Sequence, residues 1–290
     1  MPVDLVPATG EGLTRVAPAK INLTLHVTGQ RADGYHLLDS LVVFAEGGDV
    51  LTLRDGPGLT LGLTGPCAAA LATDPDNLVL RAGRAMGVAD AAFTLDKRLP
   101  VASGMGGGSS DAATALHLLA LTRGLPLPGT EGLMRLGADL PVCMAAPAPA
   151  RMSGLGEQVE KLPGVPALWL LLVNPGQGLS TPAAFKALEK RNNSPMPDAL
   201  PQWPDAVALC DWLRGMRNDL QPPAQALMPE IATLLAQIAA QPGCLLARMT
   251  GSGATCFGIF REEAGLQAAA QALAQPGRFV LPTRSHASVS

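Results

Sequence analysis

Pro100-Val-Ala-Ser-Gly-Met-Gly-Gly-Gly-Ser-Ser110 is the stretch on which the fold turns. Four of the five residues from Gly104 to Gly108 are glycine, a run that is entropically costly unless the backbone must approach something closely. Upstream, Phe93 to Lys97 reads as a short strand that Pro100 closes. Downstream, Ala112, Ala115, Leu116 and Leu119 fall on one side of a helix predicted from about Asp111 to Thr122, with Ser109 or Ser110 as its cap. A strand, a glycine loop and a helix start in succession bring several backbone N–H groups together, and such a place suits a phosphate anion. Two familiar loops are excluded. A Rossmann G-x-G-x-x-G from Gly104 needs glycine where Ser109 stands, and a Walker loop needs Gly-Lys-Ser/Thr where Ser109-Ser110-Asp111 stand.

Before this loop, Lys20-Ile-Asn-Leu-Thr-Leu-His-Val27 alternates polar and apolar with a period of two, predicting a half-buried strand with Lys20, Asn22, Thr24 and His26 on one face. Gly29 to Gly34 reads as a turn, and Leu37 to Phe44 with Asp49 to Arg54 as two more strands. Asn77 to Met86 carries helical spacing. After the loop, a short helix over Glu131 to Leu136 ends at Gly137 and leaves Asp139 just beyond an element end. Ala145 to Ala150 and Asn192 to Pro204 read as exposed loops. The last third offers a strand over Trp169 to Val173, a helix over Pro182 to Lys190, and another around Leu227 to Ala240. Two short strands flank Gly251-Ser-Gly253, a helix follows from Glu262 to Ala274, and a strand lies near Phe279. Strands mixed with helices in this way predict an α+β fold.

With 290 residues, 48% hydrophobic and 16% charged, the chain has enough apolar surface for two domains. The expected division is residues 1–155 and 156–290. A net charge of -3 without like-charged runs gives no footprint for nucleic acid or an anionic membrane, so small molecules are the expected partners. Five scattered cysteines form no CxxC or Cys/His cluster, Met1-Pro-Val-Asp-Leu is not a signal sequence, and no apolar run is long enough to span a membrane. The expected location is the cytoplasm, as a monomer or homodimer.

The segment Pro100-x-x-x-Gly-Met-Gly-Gly-Gly-Ser-Ser-Asp-Ala-Ala113 resembles the phosphate loop of the GHMP kinases, which include galactokinase and the homoserine, mevalonate and phosphomevalonate kinases. More matches follow in order: Ala17-Pro-Ala-Lys-Ile-Asn-Leu23, Arg31-Ala-Asp-Gly-Tyr-His-x-Leu-Asp39, Gly137-Ala-Asp-Leu-Pro141, Gly154-x-Gly-Glu157, Asn218-Asp-Leu220 and Met249-Thr-Gly-Ser-Gly253. They resemble the branch of that family that phosphorylates a cytidine-diphosphate-linked methylerythritol on its 2-hydroxyl, in the non-mevalonate route to isoprenoids. The resemblance implies a ribosomal protein S5 domain 2-like N-terminal domain that binds ATP, a ferredoxin-like C-terminal domain, and an active site between them. Asp139 matches the catalytic aspartate and Lys20 the catalytic lysine. Pro100, Gly104, Met105, Gly106, Gly107, Gly108, Ser109 and Ser110 match the ATP loop, with Lys97 and Asn77 at positions near the nucleotide.

On the acceptor side the resemblance places Tyr35 and His36 at a cytosine pocket, Phe185 as a second stacking aromatic with Thr181 nearby, Asn22 beside the reacting pair, and Gly251 and Ser252 in a motif packed against the phosphate loop. Mg²⁺ is implied as arriving with ATP, and no dedicated carboxylate cage is visible. His26 is read as an exposed strand residue without a chemical role. Two competing readings remain: a GHMP kinase with another acceptor, such as mevalonate or homoserine, and a catalytically silent nucleotide-binding relative. The chain also departs from the family. Pro147-Ala-Pro149 replaces a Gly-Gly-Thr, Arg151 takes an ordinarily apolar place, and the tail His286–Ser290 has no counterpart and is expected to be disordered.

Overall fold

A computed structural model describes residues 6–8, 12–71 and 76–287. Along the chain run β1 (Val6–Ala8), β2 (Gly12–Asn22), β3 (His26–Gln30), β4 (His36–Arg54) and β5 (Leu59–Thr64). Then come α1 (Leu78–Ala85), β6 (Ala91–Asp96), α2 (Gly107–Arg123), α3 (Thr130–Leu136), α4 (Leu140–Cys143), β7 (Ala150–Gly154) and β8 (Gln158–Lys161). The remainder is β9 (Trp169–Asn174), α5 (Thr181–Lys186), α6 (Ala206–Arg214), α7 (Gln221–Leu227), α8 (Glu230–Ala239), β10 (Cys244–Met249), β11 (Cys256–Phe260), α9 (Glu263–Leu273) and β12 (Phe279–Arg284). The chain folds into two compact units. The first comprises Met1–Ala19, Gly47–Val101 and Gly106–Met144; the second comprises Lys20–Glu46, Ala102–Met105 and Ala145–Ser290.

In the first unit the second half of β4 pairs antiparallel with β6, Val50 opposite Asp96, and β6 pairs parallel with β5. The alternation of β6 turns Ala91, Phe93 and Leu95 inward, as one packed sheet face requires. α2 is different. It buries Ala112, Ala113, Thr114, Ala115, Leu116, Leu118 and Leu119, apolar positions around most of its circumference, and so is a core helix rather than a surface one with a single apolar stripe. α2 also starts earlier than its serines suggest. Gly106 takes φ 62°, in the left-handed region open to glycine, and enters the helix directly, so no side chain caps it. Ser110 instead sits in the first turn, its hydroxyl donating to Pro18 O at 2.7 Å.

In the second unit β3 and β7 pair antiparallel with the first half of β4, and β7 forms a hairpin with β8. The sequence reading places no strand here, and only Ala150 of this hairpin falls in the loop read at Ala145–Ala150. A separate four-stranded antiparallel sheet runs in the order β10-β11-β9-β12. α8 lies in the crossover from β9 to β10 and α9 in the connection from β11 to β12, which makes a ferredoxin-like layer of sheet and helices. Leu171, Val173, Ile231, Leu234, Ile238, Phe260, Leu266 and Ala269 form its core.

Several local expectations are corrected. The two strands read at Leu37–Phe44 and Asp49–Arg54 are one, β4, because the Gly47-Gly48 pair lets backbones close in rather than turn: a side chain at Gly48 would collide with the Ala17 carbonyl. The strand read over Lys20–Val27 is broken, with β2 ending at Asn22 and β3 starting at His26. Both faces of that stretch are buried. His26, read as exposed, is 1% accessible. It bonds through Nδ1 to Ser194 O and receives the Arg217 N–H at Nε2, and burial followed by the Arg217 charge holds it below the usual imidazole range. The helix read around Leu227–Ala240 is α8, which begins at Glu230 after Pro229, while Leu227 ends α7, a helix that the sequence reading does not place. Of the tail, residues 288–290 lie outside the described residues, as do Met1 to Leu5, while His286 donates its N–H to Phe44 O at 3.0 Å and is therefore ordered.

Where the strand breaks, side chains replace the ladder. Ser40 Oγ donates to Thr24 O, Thr24 Oγ1 accepts from Leu41 N, and the buried Arg248 guanidinium donates to Leu23 O at 2.7 Å, Leu213 O at 2.7 Å and Met216 O at 2.9 Å. Burial pulls this guanidinium down to about 10. Three carbonyls depend on one cation, and leaving them unpaired costs about 3 kcal/mol in total. Arg248→Met is therefore expected to lower Tm by roughly 6–12 °C with the fold otherwise intact, a shift that differential scanning calorimetry and far-UV circular dichroism will measure.

Candidate active site

Residues 102–105 of the glycine loop belong to the second unit, where backbone groups hold them. Leu179 N donates to Ala102 O at 3.3 Å, Thr255 N to Ser103 O at 3.2 Å and Lys20 N to Met105 O at 2.9 Å. The turn after β10 packs directly on the loop. A Cβ on Gly104 would stand 2.5 Å from Thr250 O and 2.8 Å from Gly253 O, so both segments must be bare backbone where they meet. Asn218 steadies that turn by donating Nδ2 to Met249 O at 2.8 Å and Gly251 O at 2.9 Å. Thr181 and Ser252, both expected near substrate, share a hydroxyl–hydroxyl bond of 2.7 Å.

Asn22, the last residue of β2, is anchored from two directions. Its N–H donates to Thr250 Oγ1 at 2.9 Å and its Nδ2 to Ser40 Oγ at 2.8 Å. This leaves the carbonyl Oδ1, buried and without a hydrogen-bond partner among the described residues. Lys20, two residues earlier, is 3% exposed. The turn at Gly34, with φ 90°, presents Tyr35 to solvent at 65% exposure and turns His36 against Phe185, the rings stacked at 4.6 Å with 24° between their planes. Burial, and then the Arg191 charge, keep His36 below the usual imidazole range, hence neutral at pH 7.

Three residues on, Asp39 is 3% exposed and takes both forks of Arg151, Nε to Oδ1 and Nη2 to Oδ2, each at 2.8 Å. Oδ2 also accepts Met196 N at 2.8 Å, and Arg151 Nη1 reaches Pro197 O at 3.0 Å and Asp198 O at 3.1 Å. The unexpected arginine thus fastens the Asn192–Pro204 segment beside the strand that carries His36.

In the first unit, residues 106–110 form the first turn of α2. Around them lie Leu78, whose Cδ1 would be 3.4 Å from a Cβ on Gly108, and Ser109 Oγ, which would be 3.7 Å from one on Gly137. Asn77 caps α1, its Oδ1 accepting Val79 N at 2.9 Å. Asp139 precedes α4 without capping it. Lys97, expected near the nucleotide, is 2% exposed, with its ammonium on Asp49 and Asp111. Sequence reading missed Asp49, Asp39 and Asp111 as partners of these cations. No local spacing signals pairs 48, 112 and 14 residues apart.

The first turn of α2 thus begins with bare backbone N–H groups on a glycine entry, an arrangement suited to a phosphate anion. The family models for the GHMP kinases N terminal domain and GHMP kinases C terminal match residues 77–149 and 198–278, and the chain belongs to the GHMP kinases. A 4-diphosphocytidyl-2-C-methyl-D-erythritol kinase from Cereibacter sphaeroides is 57% identical over 271 residues, covering 92% of this chain and 97% of its own length. The protein of that name from Paracoccus denitrificans is 57% identical over 266 residues, 91% of this chain and 93% of its own. A crystal structure of 4-(cytidine 5'-diphospho)-2C-methyl-D-erythritol kinase aligns with a TM-score of 0.72 at 31% identity, over 94% of this chain and 99% of that one. Mevalonate kinase of L. major aligns with a TM-score of 0.65 at 15% identity, over 100% of this chain and 99% of that one, and shares the fold.

Arg151→Leu removes a bidentate charge pair and the guanidinium's bonds to Pro197 O and Asp198 O. It is expected to speed limited proteolysis within residues 192–204 about tenfold, since a loop held at lower local stability opens more often, as timed digestion with mass-spectrometric mapping will show.

Proposed function

We propose that this chain transfers the γ-phosphoryl group of ATP to the 2-hydroxyl of 4-diphosphocytidyl-2-C-methyl-D-erythritol, giving the 2-phosphate and ADP. The observation that carries the reading is the flat aromatic surface made by the His36–Phe185 stack with Tyr35 exposed on the adjoining turn. A pyrimidine base needs such a surface, and stacking is worth about 1–3 kcal/mol per base. Mevalonate and homoserine carry no ring to use it. The neutral His36 adds a polar ring edge for cytosine.

In this mechanism the triphosphate lies on the N–H groups of Gly104 to Ser110. Asp139 accepts the proton of the 2-hydroxyl as its oxygen bonds the γ-phosphorus, the bond from that phosphorus to the β,γ-bridging oxygen breaks, and ADP leaves. Lys20 supplies positive charge to the transferring group. Such a loose transition state asks the protein chiefly for position and charge. Asn22 Oδ1, buried with no hydrogen-bond partner among the described residues, suits a hydroxyl donor on the acceptor. Gly251, Ser252 and Thr181 line the acceptor's diphosphate. Mg²⁺ enters as Mg–ATP, the triphosphate oxygens being hard ligands of the kind it takes. Among the described residues no three His, Cys, Asp or Glu side chains gather to hold an ion.

The division of labour is an ATP-binding part within 1–155 and a C-terminal part within 156–290, supported by family matches that fall on either side of residue 155. The compartment is the cytoplasm. Five free thiols fit a reducing milieu, and among the described residues no helix is long and apolar enough to cross a membrane.

A coupled ADP-release assay tests the acceptor. Turnover is expected with diphosphocytidyl methylerythritol and not with mevalonate or homoserine, and activity confined to mevalonate would overturn the reading. Two variants separate the roles. Asp139→Asn is expected to lower kcat by about 10²–10⁴-fold with ATP KM little changed, while Gly106→Val, which puts a branched side chain at φ 62°, is expected to raise ATP KM at least tenfold. Steady-state kinetics with ATP and acceptor varied in turn will check both.

A further inference from the structure

We infer that Lys97 is a positioning residue for the phosphate loop, clamped by Asp49 and Asp111 beneath the first turn of α2, and does not itself touch the nucleotide. The inference rests on the assignment of Gly104–Ser110 to the ATP phosphates. Lys97 Nζ lies 2.5 Å from Asp49 Oδ2 and 2.9 Å from Asp111 Oδ2, and all three side chains are within 3% of complete burial. The other oxygen of Asp49 accepts the N–H groups of Arg98 at 2.7 Å and Leu99 at 2.8 Å. One carboxylate on β4 therefore holds the segment that leads into the loop, and the ammonium it shares with Asp111 holds the helix that leads out.

The clamp also sits close under the loop. A Cβ on Gly107 would stand 3.0 Å from Lys97 Nζ and 3.6 Å from Asp49 Oδ2. A buried ammonium is tolerated because it is paired and hydrogen-bonded, and leaving two carboxylates for a ligand would strand both in the interior. Its reach toward a phosphate is thus spent inside the protein.

Charge balance makes the clamp consequential for an anionic ligand. One cation serves two carboxylates, and Asp111 Oδ1 has no hydrogen-bond partner among the described residues. Burial first, against the pull of Lys97 and with the help of Asp49, pushes Asp111 up to about 8. Lys97 is raised despite its burial, because both aspartates favour its charged form. The remaining titratable neighbours are Cys67, whose thiol donates to Arg98 O and is pushed up by burial and Asp49, and Arg98, whose guanidinium pairs with Asp96. At neutral pH the clamp is neutral. Above about 8 Asp111 loses its proton, and the clamp carries one net negative charge within a helical turn of the phosphate site.

The test uses Lys97→Met, Asp111→Asn and the double variant Lys97→Met with Asp49→Asn in the full chain, with ATP KM and acceptor KM measured separately. Lys97→Met strands the Asp49 carboxylate and is expected to raise ATP KM at least tenfold and leave acceptor KM within about twofold, and adding Asp49→Asn should recover most of that loss. A direct phosphate ligand would lose the same affinity with or without Asp49, and that result overturns the inference. Should Lys97→Met fail to fold, the isosteric Asp111→Asn decides alone. In the parent, ATP KM should rise about five- to tenfold from pH 7 to pH 9, the effect of a unit charge at this range in an intermediate dielectric. In Asp111→Asn that rise should vanish, and its persistence overturns the inference. Failure of the underlying loop assignment shows separately, as a Gly106→Val enzyme with unaltered ATP KM.

Discussion

Backbone meets backbone at Gly104, and much of the second unit is arranged around that meeting. The carbonyls of Thr250 and Gly253 approach so closely that even a methyl group on Gly104 would stand 2.5 Å from one of them. No side chain fits, and the turn on the other side likewise holds Gly251 and Gly253 at positive φ. Asn218 holds the turn, Thr250 receives the N–H of Asn22, and Lys20 donates its N–H to Met105 O. Lys20 and Asn22 are therefore referenced to the loop and its neighbouring turn through their own main-chain N–H groups. Such bonds lose little side-chain entropy and hold position well.

Buried cations do the remaining stitching, in two different ways. Among the described residues Arg248 is paired with no carboxylate and is spread over three carbonyl oxygens, so its task is to satisfy a broken strand. Lys97 and Arg151 meet carboxylates and tie distant segments to one strand, β4, through Asp49 and Asp39. Removing one partner of such a pair is far more damaging than never having had it, because the other charge stays behind in a poor solvent. The same logic makes Arg151 intelligible where an apolar residue was expected. Its stem is covered, and its fork replaces packing with four fixed bonds to Asp39, Pro197 and Asp198.

Much of this was legible in the chain itself. Phe93 to Lys97, the glycine run, and the helix after it were read in their correct order, because β6 buries one face and keeps its period of two, and α2, though buried around most of its circumference, is bounded by Gly106 and Gly124. Among the strands, legibility failed where both faces are covered. Over Lys20–His26 the alternation suggested one half-exposed strand, yet the polar positions are as buried as the apolar ones and are satisfied by Thr250, Ser40, Ser194 and Arg217. It failed again at Gly47-Gly48, where glycine serves close approach rather than a turn.

For the loop from Pro100 to Ser110, the sequence alone determined that backbone N–H groups gather at a helix start, since glycine composition and helical periodicity are local properties. It also determined the order of Lys20, Tyr35-His36, Asp139 and Phe185 along the chain. Only the tertiary structure decided that Gly106, not a serine, opens the helix, that His36 lies flat against Phe185, and that the Lys97 ammonium is enclosed by Asp49 and Asp111. Each of these depends on groups far apart in the chain, whose pairing is set by the packing of whole elements and leaves no mark on neighbouring residues.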